Sequence, residues 1–113
     1  MMNETEKFAA DDVCELLNKC SDFFVAMGDD VRRTLLIKMI EAGQSGINVQ
    51  NLTKFTGLSR PAVSHHVKIL KDCGLVKSYK AGTSNFYYVD LNQELRNIKS
   101  FVATAEKILN CGK

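Results

Sequence analysis

The sequence has little of what membrane-spanning, secreted or disulfide-rich proteins depend on. Its 113 residues contain no Trp, one Pro and four Cys, and no apolar run approaches the roughly 18 residues that cross a bilayer. The start, MMNETEKFAA, has neither the basic region nor the apolar core of a signal peptide. We therefore predict a single globular domain over residues 1–113, located in the cytoplasm and without a membrane partner.

The cysteines are too few for a disulfide framework, and no two of them stand at CxxC spacing. Cys14 and Cys20 are six residues apart, which on one helix is about 9 Å along the axis and about 120° around it. One chain therefore cannot hold one ion between these two thiols. The default prediction is reduced thiols with no metal and no cofactor. A thiol or metal sensor built by Cys14 or Cys20 with Cys111 across a dimer remains an alternative.

Motifs of catalysis are also absent from the sequence. It has no Gly-rich phosphate loop and no HExxH, and its two histidines, His65 and His66, are adjacent in the chain. A nucleophile needs a base within hydrogen-bond reach, and no Ser/His/Asp or Cys/His/Asn order is present. We predict that the protein is not an enzyme.

Charge is distributed unevenly along the chain. Residues 1–47 carry five Lys/Arg and nine Asp/Glu, a net of −4, whereas residues 48–90 carry six and two, a net of +4. Residues 91–113 carry four and two, a net of +2. A basic middle segment indicates an anionic partner there.

The first 42 residues predict two helices. An apolar stripe at spacings of four and three predicts one N-terminal helix over residues 1–28. Gly28 ends it, and Asp29 and Asp30 then cap a second helix that runs to Ala42. In this second helix the segment TLLIKMI is apolar on nearly all sides, which predicts a place in the middle of the core.

Residues 48–73 predict a helix-turn-helix and residues 75–89 a β-hairpin. A short helix from Val49 is followed by the turn Thr56–Ser59, after which Ser59 caps a helix with Pro61 in its first turn. After Gly74 the period becomes two, with a turn over residues 81–85. Phe86 and Tyr88 share one face of the second strand and are expected to pack it onto the core, while Tyr87 points the other way.

A helical wheel of the helix that Ser59 caps separates a buried face from an exposed one. Val63, Val67 and Leu70 lie within about 60° of one another, and His65 and Lys68 lie opposite. His66 is predicted to be packed and hydrogen-bonded, because it lies nearer the buried side. The exposed face and the basic hairpin supply donors and cations suited to phosphates and purine edges. The predicted DNA-binding residues are Ser59, Arg60, Pro61, Ser64, His65, Lys68, Lys77, Lys80, Thr83, Ser84 and Asn85.

The last helix, over residues 91–110, carries a heptad seam. Such a seam favours a partner helix, and the N-terminal stripe offers a second apolar face. We predict that these terminal helices form a homodimer interface through Val13, Leu17, Cys20, Phe24, Leu95, Ile98, Val102, Ala105 and Leu109. The predicted fold is mainly α with a small β-hairpin: a winged helix-turn-helix with N- and C-terminal dimerisation helices.

Two stretches carry a resemblance to a known family. LTKFTGLSRPAVSHHVKILKDCGLVKSYKAGTSNFYYVDL resembles the helix-turn-helix and wing of the ArsR/SmtB family of bacterial transcriptional repressors, and MGDDVRRTLLIKMI resembles the family's second helix. The resemblance covers about 80 residues. It implies a homodimeric repressor that binds an inverted repeat in double-stranded DNA.

The sequence departs from the family pattern at both of its metal sites. Where metal sensors of the family carry Cys-x-Cys, residues 47–52 contain no Cys, and residues 91–110 contain neither His nor Asp. The wing tip lacks the Arg often found there in the family. The sequence identifies no effector, and activation of transcription is the alternative to repression. A competing hypothesis is a winged helix that binds a protein partner, for which the basic face offers only Ile69 as a large apolar residue.

Overall fold

The computed structural model describes residues 3–110, which form six α-helices and one two-stranded antiparallel sheet. This confirms the predicted fold class. A single 3₁₀ turn over Gly43–Ser45 follows the third helix. No helix in residues 3–110 is long and apolar enough to cross a membrane. In chain order the elements are α1 (Glu4–Lys19), α2 (Ser21–Met27), α3 (Asp30–Ala42), α4 (Val49–Thr56), α5 (Arg60–Asp72), β1 (Val76–Ala81), β2 (Ser84–Val89) and α6 (Asn92–Leu109).

The N-terminal segment is two helices, so the prediction of one continuous helix over residues 1–28 was wrong. The N–H of Cys20 is shared between the carbonyls of Leu16 at 3.2 Å and Leu17 at 3.1 Å, which tightens and ends the last turn of α1. Ser21 and Asp22 then begin α2, and both residue types favour helix starts. The apolar spacing continues across this break, so periodicity alone did not reveal it.

Residues 23–91 form a compact winged-helix unit around one apolar core. Leu35, Leu36 and Met39 place α3 in the middle of that core, as predicted. The prediction holds for only part of the helix, since Ile37 and Ile40 are each 53% exposed. The buried residues of this core are Ala26, Leu35, Leu36, Met39, Leu52, Val63, Val67, Leu70, Leu75 and Val76.

Helices α1 and α6 form the second compact unit and pack against each other. None of the residues of α6 is buried, and several of its large apolar side chains are about half exposed or more. A single copy of this unit therefore leaves an apolar helix face in water. The exposed members of the predicted seam are Leu95, Val102 and Leu109.

Candidate nucleic-acid interface

Helix α5 is the second helix of the helix-turn-helix, here called the recognition helix, and its exposed face begins at its cap. The Oγ of Ser59 accepts a hydrogen bond from the N–H of Ala62 at 3.3 Å, and Pro61 sits in the first turn, where no N–H is needed. The opposite side is buried through Val63, Val67 and Leu70, which confirms the predicted wheel. The α5 residues predicted to contact DNA, with their cap, are all exposed: Ser59, Arg60, Pro61, Ser64, His65 and Lys68.

Helix α4 and the turn before α5 are held by local hydrogen bonds. The Oδ1 of Asn48 accepts from the N–H of Asn51 at 2.9 Å and so caps α4. Gly57 ends α4 with a φ of 66°, a left-handed conformation that suits glycine. The Oγ1 of Thr56 accepts from the N–H of Leu58 at 3.3 Å. The turn is therefore short and ordered by its own residues.

The wing is tighter than the predicted five-residue turn. Ala81 pairs with Ser84, so a two-residue turn of Gly82 and Thr83 joins the strands, and Asn85 lies within β2 opposite Lys80. Gly82 has a φ of 63°, as the first position of a type II′ hairpin turn requires. Three of the predicted DNA-binding residues consequently lie together at the wing tip: Thr83, Ser84 and Asn85.

The wing is fixed to the loop that follows α3. Ile47 and Tyr87 exchange two backbone hydrogen bonds of 2.9 Å, and the hydroxyl of Tyr79 donates to the carbonyl of Ser45. Tyr87 packs against the core, whereas Phe86 and Tyr88 lie near the Tyr79 ring, with centroids at 5.7 Å and 6.3 Å. The expectation that Phe86 and Tyr88 face the core was therefore wrong. The extra bridge from Ile47 turns the Tyr87 side inward.

A polar cleft of about 210 Å³ lies where the start of α4, the start of α5 and the wing tip meet. It unites five predicted DNA-binding residues, namely Arg60, Ser64, Thr83, Ser84 and Asn85. Sequence reasoning missed two further polar residues in its lining, Asn48 and Gln50. Their position just before and inside the first turn of the helix-turn-helix was the available signal. Tyr87 and Val49 complete the lining, which contains no carboxylate.

Comparison with known proteins identifies the family of this chain. A family model described as "Bacterial regulatory protein, arsR family" matches residues 30–78. An HTH-type transcriptional regulator of Methanocaldococcus jannaschii is 38% identical over 77 residues, which cover 66% of this chain and 82% of that protein. The chain belongs to the ArsR family. Membership makes it a transcriptional regulator with a winged helix-turn-helix DNA-binding fold.

Other similarities agree with this ArsR-family assignment. The arsenical resistance operon repressor of Bacillus subtilis is 32% identical over 80 residues, covering 71% of this chain and 72% of that protein. A solution structure from Mycobacterium bovis, described as a homodimeric winged helix-turn-helix DNA-binding domain, superposes with a TM-score of 0.61 at 20% identity. The superposed region covers 88% of this chain and 91% of the Mycobacterium bovis chain, and this similarity supports the fold.

The Lys and Arg residues that are predicted to bind DNA differ in whether they already have a carboxylate partner within the chain. The side chains of Arg60 and Lys80 make no ion pair or hydrogen bond with any residue that the structure describes. Free cations of this kind are available to phosphates without first breaking a contact. The other two are paired within the chain, Lys68 with Asp72 at 3.3 Å and Lys77 with Asp90 at 2.8 Å.

His66 lies behind the recognition face, beside the cap of α3. Its side chain is 19% exposed, which confirms that it is packed, and His65 is exposed. The Nδ1 of His66 has no hydrogen-bond partner among residues 3–110, contrary to the predicted hydrogen-bonded histidine, and lies 3.8 Å from the Oδ2 of Asp29. That carboxylate also accepts from the N–H of Arg32 at 2.9 Å.

The chain does not supply the ligands of the family's metal sites. The start of α4 offers no thiolate and α6 offers neither His nor Asp. Among residues 3–110 no group of three or more His, Cys, Asp or Glu is placed to hold a metal ion. Cys14 is exposed and Cys20 buried, while Cys111 lies outside the described residues, so the shared-thiol hypothesis stays a prediction.

Proposed function

We propose that this regulator is a homodimeric repressor that binds an inverted repeat, with α5 of each protomer in a major groove. The observation that supports this most strongly is the polar cleft, which joins the exposed start of α5 to the wing tip beside an unpaired Arg60. Two-fold symmetry would place the half-sites about 34 Å apart, or a multiple of one helical turn.

Base recognition is assigned to the exposed face of α5. Ser64 and His65 can hydrogen-bond to either purine, and Arg60, which also lines the cleft, carries five N–H donors that suit a purine edge or a phosphate. Residues near the start of a recognition helix are those that usually reach base edges. Ser59 and Pro61 shape this start, and Lys68, one turn further along, would contact the DNA backbone.

The wing is assigned to the sugar-phosphate backbone. Thr83, Ser84 and Asn85 present small polar groups at its tip, and Lys80 adds an unpaired charge opposite Asn85. Lys77 pairs with Asp90 near the other end of the hairpin. A phosphate contact by Lys77 would therefore compete with Asp90, and we expect it to contribute less to affinity than Lys80.

Dimerisation is assigned to the unit formed by α1 and α6. Its proposed interface residues are Val13, Leu17, Leu95, Ile98, Val102, Ala105 and Leu109, and the similar Mycobacterium bovis domain is homodimeric by its description. Cys20 is only 2% exposed in the single chain, so it has little surface to offer a partner. Phe24 lies in the winged-helix unit and is 44% exposed.

Repression and the cytoplasmic location are proposed from the family resemblance and from the Bacillus subtilis relative, which is named a repressor. Because the donors of both family metal sites are missing, we propose that no metal bound at those two places releases the DNA. A small-molecule effector is not identified by any described residue.

The proposal is tested by fluorescence anisotropy of the reduced protein with a labelled duplex from upstream of its own gene. A scrambled duplex of equal length is the control, and each titration is repeated at two salt concentrations. Tighter binding to the upstream duplex would support a self-regulating repressor. Equal, salt-sensitive binding to both would keep DNA binding and send the search to other promoters.

Failure to bind either duplex at low salt would contradict the proposal and favour the protein-partner alternative. That alternative requires an exposed apolar patch on the α5 face. Ile69, the large apolar residue nearest to this face, is half-buried, so the structure gives the alternative little surface.

A further inference from the structure

The cleft at the wing tip brings residues of α4 and of the wing together with two residues of α5. Its polar side chains come from three separate places in the fold, and one of them is the cation Arg60. None of the lining residues is acidic. Such a concave, donor-rich surface favours an anion and disfavours a cation or an apolar group.

Two residues at the start of α4 that line the same cleft carry unpaired backbone donors. Asn48 uses its carboxamide oxygen and its carbonyl to satisfy the N–H groups of Asn51 and Leu52. The preceding N–H groups, of Val49 and Gln50, have no hydrogen-bond partner among residues 3–110. Both residues line the cleft together with Arg60 and the wing tip.

The size of the cleft suits one small anion. Its volume of about 210 Å³ is far above what one water molecule needs on the same measure, roughly 10–15 Å³. One phosphate group with some of its water fits this space. Phosphate oxygens accept from backbone N–H, hydroxyl and guanidinium groups alike.

We propose that this cleft holds one backbone phosphate of each half-site, between the first turn of α4, Arg60 and the wing tip. The inference deepens the proposed function and rests on it. It adds Gln50 and the N–H groups at the start of α4 to the DNA interface. It also gives the wing tip a specific task, which is to close the cleft over a phosphate that α4 and α5 already contact.

Neutral phosphate analogues test the inference on DNA. A binding duplex is first selected from a random library, and single phosphates of its half-sites are then replaced by methylphosphonate. Because Lys68 and Lys80 are also expected to contact phosphates, several replacements should weaken wild-type binding. At one position per half-site, the cleft position, the loss should be about tenfold or more, since a hydrogen bond to a charged group is removed. In Arg60→Gln and Gln50→Ala the penalty at that position should shrink, because the phosphate already has one partner fewer.

The matched control is Lys54→Gln, which removes an exposed cation of α4 that does not line the cleft. It should leave the methylphosphonate penalty at that position unchanged. If all three variants retain the full penalty at every position, the cleft does not hold a backbone phosphate and the inference is wrong, while the proposed function stands.

Inorganic phosphate provides a second readout that needs no DNA. In two-dimensional NMR of the free wild-type protein, phosphate added against chloride at equal ionic strength should shift the amides of Val49, Gln50 and Ser84. Arg60→Gln should reduce these shifts. Suppose that phosphate shifts these amides but that no methylphosphonate position has a penalty that shrinks in the variants. The cleft would then bind a free anion, and its assignment to the DNA backbone would be overturned.

The two proposals fail in distinguishable ways. If selection returns no duplex, the proposed function fails, and the phosphate titration alone then decides whether the cleft binds an anion. No selected duplex and no phosphate shift would overturn both proposals. The variants alter exposed residues, and their fold is checked by the same amide spectra.

Discussion

The Nδ1 of His66 lies 3.8 Å from the Oδ2 of Asp29, which joins the recognition helix to the cap of α3. The same carboxylate accepts the N–H of Arg32, whose Nε in turn donates to the carbonyl of Ala26 at 3.0 Å. One acidic residue thus orders the start of α3 and faces the inner side of α5. The contact is positioned to fix the orientation of α5 against the core.

This arrangement predicts a pH dependence of stability. The pKa of Asp29 is lowered from its usual 3.8, chiefly by the hydrogen bond from the N–H of Arg32. Partial burial opposes this shift, and the charges of Arg32 and His66 reinforce it. Because the unfolded carboxyl has the higher pKa, its stabilisation is present above that value and is lost as the pH falls through the folded pKa.

Asp29→Asn should therefore flatten the dependence of the unfolding free energy on pH below about 4, measured by urea denaturation. Asn still caps a helix but does not ionise, so the variant separates the charge from the cap. Parallel curves for wild type and variant would contradict this assignment.

The two histidines should separate recognition from stability. His65→Ala is expected to change the unfolding free energy by less than about 0.5 kcal/mol, since the side chain is exposed. It should also reduce the difference in binding affinity between specific and nonspecific duplexes. His66→Ala should destabilise the fold by about 1–2 kcal/mol, because it empties a packed site. Urea unfolding and anisotropy measure the two effects, and the reverse pattern would show that the faces are misassigned.

Gly46 should be the least replaceable glycine of the wing attachment. Its φ is 74°, and a Cβ there would lie 2.8 Å from the carbonyl oxygen of Tyr87. Gly82 is a matched control, with a φ of 63° and open space around it. We expect Gly82→Ala to cost about 1–2 kcal/mol from backbone strain alone, and Gly46→Ala to cost more. Equal losses in urea unfolding would show that the wing moves aside without penalty.

The ion pair on α5 should reduce DNA affinity in the wild type. Asp72→Asn removes a carboxylate 3.3 Å from the Nζ of Lys68 and leaves that cation free for phosphate. We expect a several-fold tighter complex with any duplex, since a surface ion pair of this kind is worth up to about 1 kcal/mol.

Lys68→Ala should weaken binding to all sequences and lower the salt slope by about one unit, because one phosphate is no longer neutralised. Unchanged affinity in both variants would place Lys68 outside the interface.

A charge in the seam of α6 should break the dimer. Ile98→Asp is expected to yield monomers with weak DNA affinity, because a carboxylate would be buried between helices without a partner. Ser100→Asp makes the same change of charge at an exposed position and should remain dimeric. Sedimentation gives the oligomeric state, and a stable dimer of Ile98→Asp would move the interface elsewhere.

Much of the fold was predictable because its signals are local. Asp29, Asn48 and Ser59 cap the helices that follow them, through hydrogen bonds within three residues. The spacing of Val63, Val67 and Leu70 predicts the buried face of α5 from helical geometry alone. The exposed residues on the opposite face follow from the same geometry.

The errors of prediction arose where a distant contact decides between local options. Alternation along β2 predicts that Tyr87 faces away from Phe86 and Tyr88, but it does not indicate which of the two sides faces the core. The bridge between Ile47 and Tyr87, 40 positions apart in the chain, makes that choice. The break at Cys20 was hidden for another reason, since the apolar stripe stays in phase across it.

Local chemistry in the chain is therefore sufficient for the helix-turn-helix, its caps, the presence of a hairpin and the list of exposed donors on α5. It is not sufficient for the length of the hairpin turn or for the inward side of β2. The cleft required the three-dimensional structure, because its lining comes from residues 48–50, 60–64 and 83–87, which are brought together only by the folded chain. Pairing of Lys68 and Lys77 with carboxylates is likewise a matter of proximity. Spacing along a sequence specifies which way a residue faces on its own element, whereas distances between elements arise from packing.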